Sequence, residues 1–250
     1  MRAPDPLPAG VHTLAARHGQ EGDGAEVWRL FPVPGQRMNL DPFVLFDHFR
    51  IAPGTGFPTH PHRGFEAITY LLAGGIRHRD TLGNDSLMGA GGAQRFTAGR
   101  GLAHSEMPEG ESVGIQLWIN LPQGLKAIDP DYQAVPPDAL PVHAFDGGER
   151  RIVVGEGSPL RLQTPVHYEI LHLAPGASVT MAVPTGWQGL TYVLDGGVML
   201  AGRPLAVREA GLFAGRESLE LAAGEQGAEV VWLAGRPHGE PLQQYGPFVD

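Results

Sequence analysis

Four side chains in the first half of the sequence have the types and spacing of metal ligands. His60 and His62 form a His-x-His pair, and His104 and Glu106 repeat the same spacing further along the chain. Residues two apart in a β-strand point to the same side, so each pair places both side chains on one face. Two such strands would provide three imidazole nitrogens and one carboxylate oxygen for a single ion.

This ligand set suits a first-row transition ion, since imidazole and carboxylate bind Fe, Ni, Cu, Zn and Mn. Four protein ligands in an octahedral shell leave positions for water, dioxygen or substrate, which favours catalysis over a purely structural role. The alternative is that His60 and His62 are ordinary loop histidines beside Pro58 and Pro61. The second pair, with its matching spacing, favours the metal site.

The segments that must position these ligands have the pattern of β-strands. Short apolar runs rich in Val, Ile, Leu and aromatic residues recur between turns that contain Gly or Pro, and none has a long helical period. This pattern predicts an all-β sandwich or barrel. Prolines cluster at 124–137, which predicts a connector there. The predicted strands are 67–72, 114–121, 152–154, 167–173, 190–194 and 229–233.

The sequence contains an internal repeat. GFEAITYLLAGGI at 64–76 and GWQGLTYVLDGGV at 186–198 share Gly, Thr-Tyr, Leu and Gly-Gly at a constant offset. We interpret this as a duplication and divide the chain into domains 1–128 and 129–250. Each copy has the size of a small closed barrel, in which inward side chains can line a ligand cavity.

The second copy lacks the ligand pattern. Ala182 and Pro184 stand at the positions equivalent to His60 and His62. The sequence therefore predicts a single metal site, in the first copy. The histidines of the second copy are interpreted as structural or surface residues: His167, His172 and His238. Hydrogen-bonding or surface roles are likewise expected for His48, His78 and His143.

Composition argues against several classes of function. The net charge is −9, the pI is about 5.6, and no run of Lys or Arg occurs, so direct binding to nucleic acid is not expected. No apolar stretch is long enough to span a bilayer, and residues 1–10 lack the apolar core of a signal peptide, so we expect a cytoplasmic protein without membrane contact. The absence of cysteine leaves only nitrogen and oxygen ligands for a metal.

Several long motifs resemble the pirin family of the cupin superfamily. They are NLDPFVLFDHF at 39–49, HPHRGFEAITYLLAGGIRHRDTLGN at 60–84, FTAGRGLAHSEMP at 96–108 and YGPFV at 245–249. The resemblance is close over the first half and looser over the second. It implies a bicupin: two tandem β-barrel domains of the double-stranded β-helix, or jelly-roll, type, of which the second is degenerate and has no metal ligands.

The carboxylate ligand has two candidates. The general cupin spacing would assign Glu66, whereas the His-Ser-Glu alternation and the resemblance to pirins indicate Glu106. The second cupin motif also departs from the general pattern, with Gly99 where proline is usual and Pro108 where asparagine is usual. We choose Glu106, which leaves Glu66 as a core residue or a contact behind the ligands. The predicted metal ligands are His60, His62, His104 and Glu106.

The resemblance implies two activities of different classes. One is quercetin 2,3-dioxygenase activity, in which Glu106 would take the proton of a flavonol 3-hydroxyl beside one divalent ion, iron(II) first, with nickel, copper, zinc, manganese or cobalt as alternatives. The substrates would be a small aromatic molecule and dioxygen. The other is a non-catalytic, metal- and redox-responsive regulator that binds a protein partner. We favour the dioxygenase and expect a monomer. The candidate cavity-lining residues, for most of which a place in the core is the alternative, are Phe43, Phe46, Phe57, Phe96, Met107 and Trp118.

Overall fold

The computed structural model describes residues 7–250 of the chain. The interpretation of residues 1–10 as lacking a signal peptide falls partly on residues 1–6, which lie outside the described residues. Among the described residues, no helix has the length and apolar character needed to cross a membrane.

The described chain is built from strands, and the all-β prediction is confirmed. The first twelve strands are β1 (Gly10–Ala15), β2 (Arg17–Glu21), β3 (Ala25–Phe31), β4 (Phe43–Ile51), β5 (Phe57–His62), β6 (Phe65–Ala73), β7 (Gly75–Asp80), β8 (Asp85–Gly89), β9 (Ala93–Thr97), β10 (Leu102–Pro108), β11 (Ser112–Asn120) and β12 (Asp131–Val135). The remaining strands are β13 (Val142–Phe145), β14 (Gly148–Val154), β15 (Val166–Leu173), β16 (Ser178–Ala182), β17 (Gln188–Leu200), β18 (Arg203–Ala206), β19 (Glu209–Ala214), β20 (Ser218–Gly235), β21 (Gln244–Tyr245) and β22 (Phe248–Val249). Two short 3-10 helices occupy Gln123–Leu125 and Pro137–Ala139.

The first half forms a sandwich of two sheets. Seven strands pair in the order β12-β9-β6-β11-β4-β3-β2, and four pair in the order β5-β10-β7-β8. An apolar cluster joins the two sheets, with Val27 and Phe49 of the larger sheet packed with Ile76 and Met88 of the smaller one. The two predicted ligand pairs both lie in the smaller sheet, on β5 and β10.

The second half has a related strand order within one nine-stranded sheet. Its main path runs β1-β19-β17-β20-β15-β14-β13, with β16 and β18 attached to β20 and β17. The repeated segments 64–76 and 186–198 fall on strands in the same place of each sheet, since β6 and β17 are each third in order. The duplication inferred from sequence therefore corresponds to two domains of the same cupin type.

Two strands are exchanged between the halves. β1 forms the edge of the second sheet, beside β19, and β12 forms the edge of the first sheet, beside β9. The segment predicted as a connector, 124–137, therefore contains a strand, and that prediction is wrong. Pro130 and Pro136 bracket a five-residue strand, which is short enough to be taken for a linker. Each half therefore contributes one strand to the sheet of the other half. The division of the chain into two domains at residue 128 stays a prediction.

A shared core holds the two halves together. Residues of the first sheet, including Phe46 and Tyr70, pack with Tyr168 and Tyr192 of the second in one buried cluster. The Phe46 and Tyr192 ring centroids are 5.0 Å apart. His48 Nδ1 lies 3.2 Å from the Tyr192 hydroxyl, which agrees with the hydrogen-bonding role expected for this histidine.

The buried position of His48 makes stability depend on pH. Burial, followed by the nearby charge of Arg208, lowers the pKa of His48 to about 4 from 6.5. The unfolded chain takes up the proton first as pH falls, so stability present above pH 6.5 is lost as the pH falls to about 4. For His48 alone the loss is about 3 kcal/mol at most.

We expect His48→Gln to reduce the loss of stability in acid by up to about 3 kcal/mol, because glutamine keeps a polar partner for Tyr192 without a titrating ring. Urea unfolding at several pH values between 7.5 and 4.5 measures this loss. His143→Gln, at an exposed position of β13, is the matched control and should follow the wild type. An identical pH profile for His48→Gln and the wild type would contradict the assignment.

Candidate metal centre

The pairing of β5 with β10 brings three histidines together. The strands are antiparallel, with His60 directly opposite His104 and Leu102 opposite His62. The ring centroids are 4.6 Å apart for His60 and His62, 4.6 Å for His60 and His104, and 4.9 Å for His62 and His104. One ring nitrogen of each lies within 4.8 Å of the others, so the three could hold a metal ion.

β5 tolerates its two prolines because it is the edge strand of its sheet. Proline cannot donate a hydrogen bond to a neighbouring strand and is therefore found at sheet edges. β5 pairs with β10 on one side only. The His60-Pro61-His62 segment thus keeps the two-residue alternation that the sequence predicted.

The Nδ1 atom of each of the three histidines already has a polar neighbour. His60 Nδ1 lies 2.7 Å from the Pro58 carbonyl oxygen, His62 Nδ1 lies 3.3 Å from that of Pro247, and His104 Nδ1 lies 3.4 Å from His78 Nδ1. Such contacts orient metal-binding histidines and leave Nε2 for the ion. His104 Nε2 is buried and has no hydrogen-bond partner among the described residues. An unpartnered buried nitrogen within a cluster of imidazoles fits a metal ion.

Burial keeps the imidazoles of His62 and His104 neutral. It lowers the pKa of His62 to about 3, with a smaller contribution from His60, and it lowers the pKa of His104 well below the ordinary value, with smaller contributions from the neighbouring histidines. Metal binding requires the neutral ring. The pocket thus supplies the protonation state that a ligand needs.

Glu106 lies beside this cluster. Its side chain is buried, and its Oε1 accepts hydrogen bonds from Gln94 Nε2 at 2.7 Å and Thr69 Oγ1 at 2.9 Å. It forms a second group of possible ligands with His104 and His78 rather than with the other two histidines. The strand register is shifted between His104 and Glu106. Assignment of Glu106 as the fourth ligand therefore remains a prediction.

Sequence reasoning did not single out His78 as a neighbour of the centre. The residue is buried on β7, its Nε2 lies 3.1 Å from Asp80 Oδ2, and its ring stacks on Tyr132 at 4.2 Å. The hydrogen-bonding role expected for it is present. The alternation of His78 and Asp80 was an available signal, but only the pairing of β7 with β10 places His78 opposite Glu106.

Glu66 is held elsewhere. Its Oε1 accepts a hydrogen bond from Thr97 Oγ1 and its Oε2 one from the backbone nitrogen of Gln163, both at 2.8 Å. Burial raises the pKa of Glu66, and these hydrogen bonds oppose that shift. Among the described residues, Glu66 belongs to neither group of possible metal ligands. The contact with Gln163 ties β6 to the loop between β14 and β15 of the second half.

The histidines of the second half have ordinary neighbours. His167 packs against Trp187, His172 lies 3.7 Å from Glu229, and His238 lies 3.0 Å from a threonine hydroxyl. No group of three possible metal ligands occurs in the second half of the described chain. The single site predicted from the repeat stays a prediction.

A cavity of about 570 Å³ opens beside the histidine cluster. His60, His62 and Glu106 lie in its wall together with residues from the larger sheet. The apolar lining residues include Val27, Leu45, Phe49, Ile51, Phe57, Ile76 and Trp118. The polar ones from the larger sheet and its edge are Glu21, Arg29, Asp47 and Gln116.

Of the aromatic residues expected to line the cavity, Phe57 and Trp118 do so. The other four candidates are not among its lining residues. Phe43 and Phe46 are buried in the core shared by the two halves, whereas Leu45 of the same strand lines the cavity. Phe96 stacks on the ring of His62 at 5.3 Å, and Met107 is 38% exposed on the outside.

The end of the chain closes one side of the cavity. The hairpin β21–β22 contributes Gln244, Gly246 and Pro247 to the lining, and the Pro247 carbonyl meets His62. Lys126 Nζ donates to the Val249 carbonyl at 2.9 Å. Gly64 has φ of +84°, and a Cβ there would lie 1.8 Å from the Val249 oxygen, so only glycine allows this approach. The second half thus helps to orient a histidine of the first.

Fold and site together define a bicupin protein whose candidate metal centre lies in the first domain. The family model for pirin matches residues 24–119, and the model for the pirin C-terminal cupin domain matches 168–250. Pirin-like protein 2 of Arabidopsis thaliana is 40% identical over 96% of this chain and 78% of its own length. The chain belongs to the pirin family.

Solved structures agree with this assignment. A quercetin 2,3-dioxygenase from Acinetobacter baumannii superposes with a TM-score of 0.87 at 30% identity, covering 95% of this chain and 90% of that one. A bacterial pirin from Escherichia coli, YhhW, in complex with nickel(II), superposes with a TM-score of 0.76 at 21% identity, covering 91% of this chain and 99% of that one. The second likeness concerns the fold alone.

We expect protein stripped with a chelator to bind one nickel ion per chain. His104→Gln should weaken nickel binding by more than about 100-fold, because loss of a ligand costs more affinity than loss of a residue that hydrogen-bonds to a ligand. Isothermal titration with nickel chloride measures both. His172→Gln, in the second half, is the matched control and should bind like the wild type. Unchanged affinity in His104→Gln, with the fold intact by circular dichroism, would contradict the three-histidine centre.

Proposed function

We propose that this protein is a metal-dependent dioxygenase that acts on quercetin or a related flavonol, with the ion held by His60, His62, His104 and Glu106. The observation that carries the proposal is the buried, unpartnered Nε2 of His104 within a three-histidine cluster at the edge of a ligand-sized cavity. The similarity to a quercetin 2,3-dioxygenase at 30% identity over most of both chains supports the choice of substrate.

In this proposal Glu106 is the proton acceptor. It lies in the cavity wall, and the hydrogen bonds from Gln94 and Thr69 fix its Oε1, so the carboxylate is held in one orientation. A positioned carboxylate within reach of the flavonol 3-hydroxyl can remove its proton as the substrate binds. The bound ion would supply Lewis-acid and redox chemistry for the flavonol oxygen and dioxygen.

The cavity fits a flat aromatic ligand. Its volume of about 570 Å³ lies within the range of small-molecule sites, and its apolar side chains come mostly from the larger sheet. Trp118 lines the cavity with its ring 5.0 Å from His62, and its buried Nε1 has no hydrogen-bond partner among the described residues. This N–H would donate to a ligand oxygen, such as the flavonol 4-carbonyl, next to the ion.

Iron(II) is the proposed resident ion, with nickel, copper, zinc, manganese and cobalt as alternatives. Imidazole and carboxylate ligands can bind several of these ions, and affinity generally rises from manganese towards copper whatever the ion used in the cell. Nickel in the Escherichia coli relative shows that a pirin can bind that ion. Turnover with each ion, rather than metal content alone, identifies the active form.

We expect metal-loaded protein to consume dioxygen and to bleach the visible absorbance of quercetin. His62→Ala should abolish the activity, and Glu106→Gln should lower kcat by about 100-fold or more, because a positioned general base contributes at least this much. An oxygen electrode combined with absorbance spectroscopy measures both substrates. Free ion at the same concentration is the control, and turnover no faster than that of free ion would refute the proposal.

A further inference from the structure

A row of polar side chains crosses the larger sheet of the first half. Arg29 on β3 is opposite Asp47 on β4, which is opposite Gln116 on β11. The row continues through Thr69 on β6 to Gln94 on β9. Five adjacent strands thus place one polar residue each at the same level of the sheet.

The levels on either side of this row are apolar. On one side, Val27 is opposite Phe49. On the other, Leu45 is opposite Trp118, and Trp118 is opposite Ala67. Packing alone would favour apolar residues at the middle level too, because buried polar groups cost free energy unless they find partners. A polar level in a ligand cavity therefore suggests polar contacts to the ligand.

The row extends from the candidate metal centre to the far wall of the cavity. Thr69 and Gln94 hold the Glu106 carboxylate, and Thr69 Oγ1 lies 2.6 Å from Gln116 Oε1. Asp47 is two strands further along than Thr69, or about 10 Å at the usual strand spacing. This is a span that two linked aromatic ring systems cover.

The far wall of the cavity, which is formed by Glu21, Arg29 and Asp47, carries a net negative charge. Arg29 donates from Nε and Nη2 to the two oxygens of Asp47 at 2.8 and 2.6 Å, and from Nη1 to Glu21 at 2.6 Å. One guanidinium therefore faces two carboxylates. Each carboxylate oxygen keeps a free lone pair after one hydrogen bond, whereas the guanidinium is already committed. The wall can accept hydrogen bonds from hydroxyl groups but has no unpaired cation for an anion.

We propose that Asp47, Glu21 and Gln116 form a specificity subsite that accepts hydrogen bonds from phenolic hydroxyls on the remote ring of the substrate and excludes carboxylates there. The subsite rests on the proposed function, because it assumes that the other end of an aromatic substrate lies at the metal centre. It assigns substrate selection to residues that do not belong to the metal centre.

The test is a binding measurement that needs no turnover. Nickel-loaded protein is titrated calorimetrically without dioxygen against three ligands that share one metal-binding end: 3-hydroxyflavone, 3,3′,4′-trihydroxyflavone and 4′-carboxy-3-hydroxyflavone. The wild type should bind the trihydroxy compound about tenfold tighter than the parent, and the carboxylate about tenfold weaker or worse, as expected for hydrogen bonds to charged groups.

Two variants assign the preference to the wall. Glu21→Gln removes one negative charge, so the penalty for the carboxylate ligand should shrink several-fold. Gln116→Leu leaves the Arg29–Asp47 pair intact and should reduce the preference for the trihydroxy ligand. Glu111→Gln is the matched control, because the Glu111–Arg50 pair has the same 2.6 Å separation on the outer surface and does not line the cavity.

Equal affinity for the three ligands, no binding of any of them, or equal effects of Glu21→Gln and Glu111→Gln would overturn the subsite. Ligand preference without turnover of quercetin would refute the dioxygenase and leave the subsite in place. Turnover of quercetin without ligand preference would refute the subsite and leave the dioxygenase in place. The two proposals therefore fail separately.

Discussion

The antiparallel pairing of β5 and β10 is the contact on which the site depends. It sets His60 opposite His104 and brings His62 to the same side, so three imidazoles share one small volume. A one-residue slip of either strand would turn its side chains to the opposite face and separate the cluster. The register is fixed on the other side of β10 as well, where β7 pairs with it over five residues.

The rest of the fold prepares the imidazoles for a metal. The larger sheet covers the cluster with Phe96 and Trp118, whose rings contact His62. The resulting burial keeps His62 and His104 neutral by lowering the pKa of each. The second domain contributes the Pro247 carbonyl that orients His62, and its core is continuous with that of the first. The second domain therefore helps to position His62 in the site.

The sequence predicts much of this arrangement because short-range periodicity controls it. Alternation placed His60 with His62 and His104 with Glu106, and the repeat located the second domain. Other features depend on tertiary pairing that no local pattern encodes. The exchange of β1 and β12, the closure by Pro247, the position of His78 and the orientation of Phe43 and Phe46 all follow from contacts between segments far apart in the chain.

The three-histidine centre is tested most directly by a crystal structure of nickel-loaded protein with anomalous data collected at the nickel edge. The account predicts one strong peak about 2.1 Å from the Nε2 atoms of His60, His62 and His104, which is a normal imidazole–metal distance. The same map shows whether Glu106 completes the shell. A peak bound by His78 and Glu106 instead, or no peak in the first domain, would contradict the account.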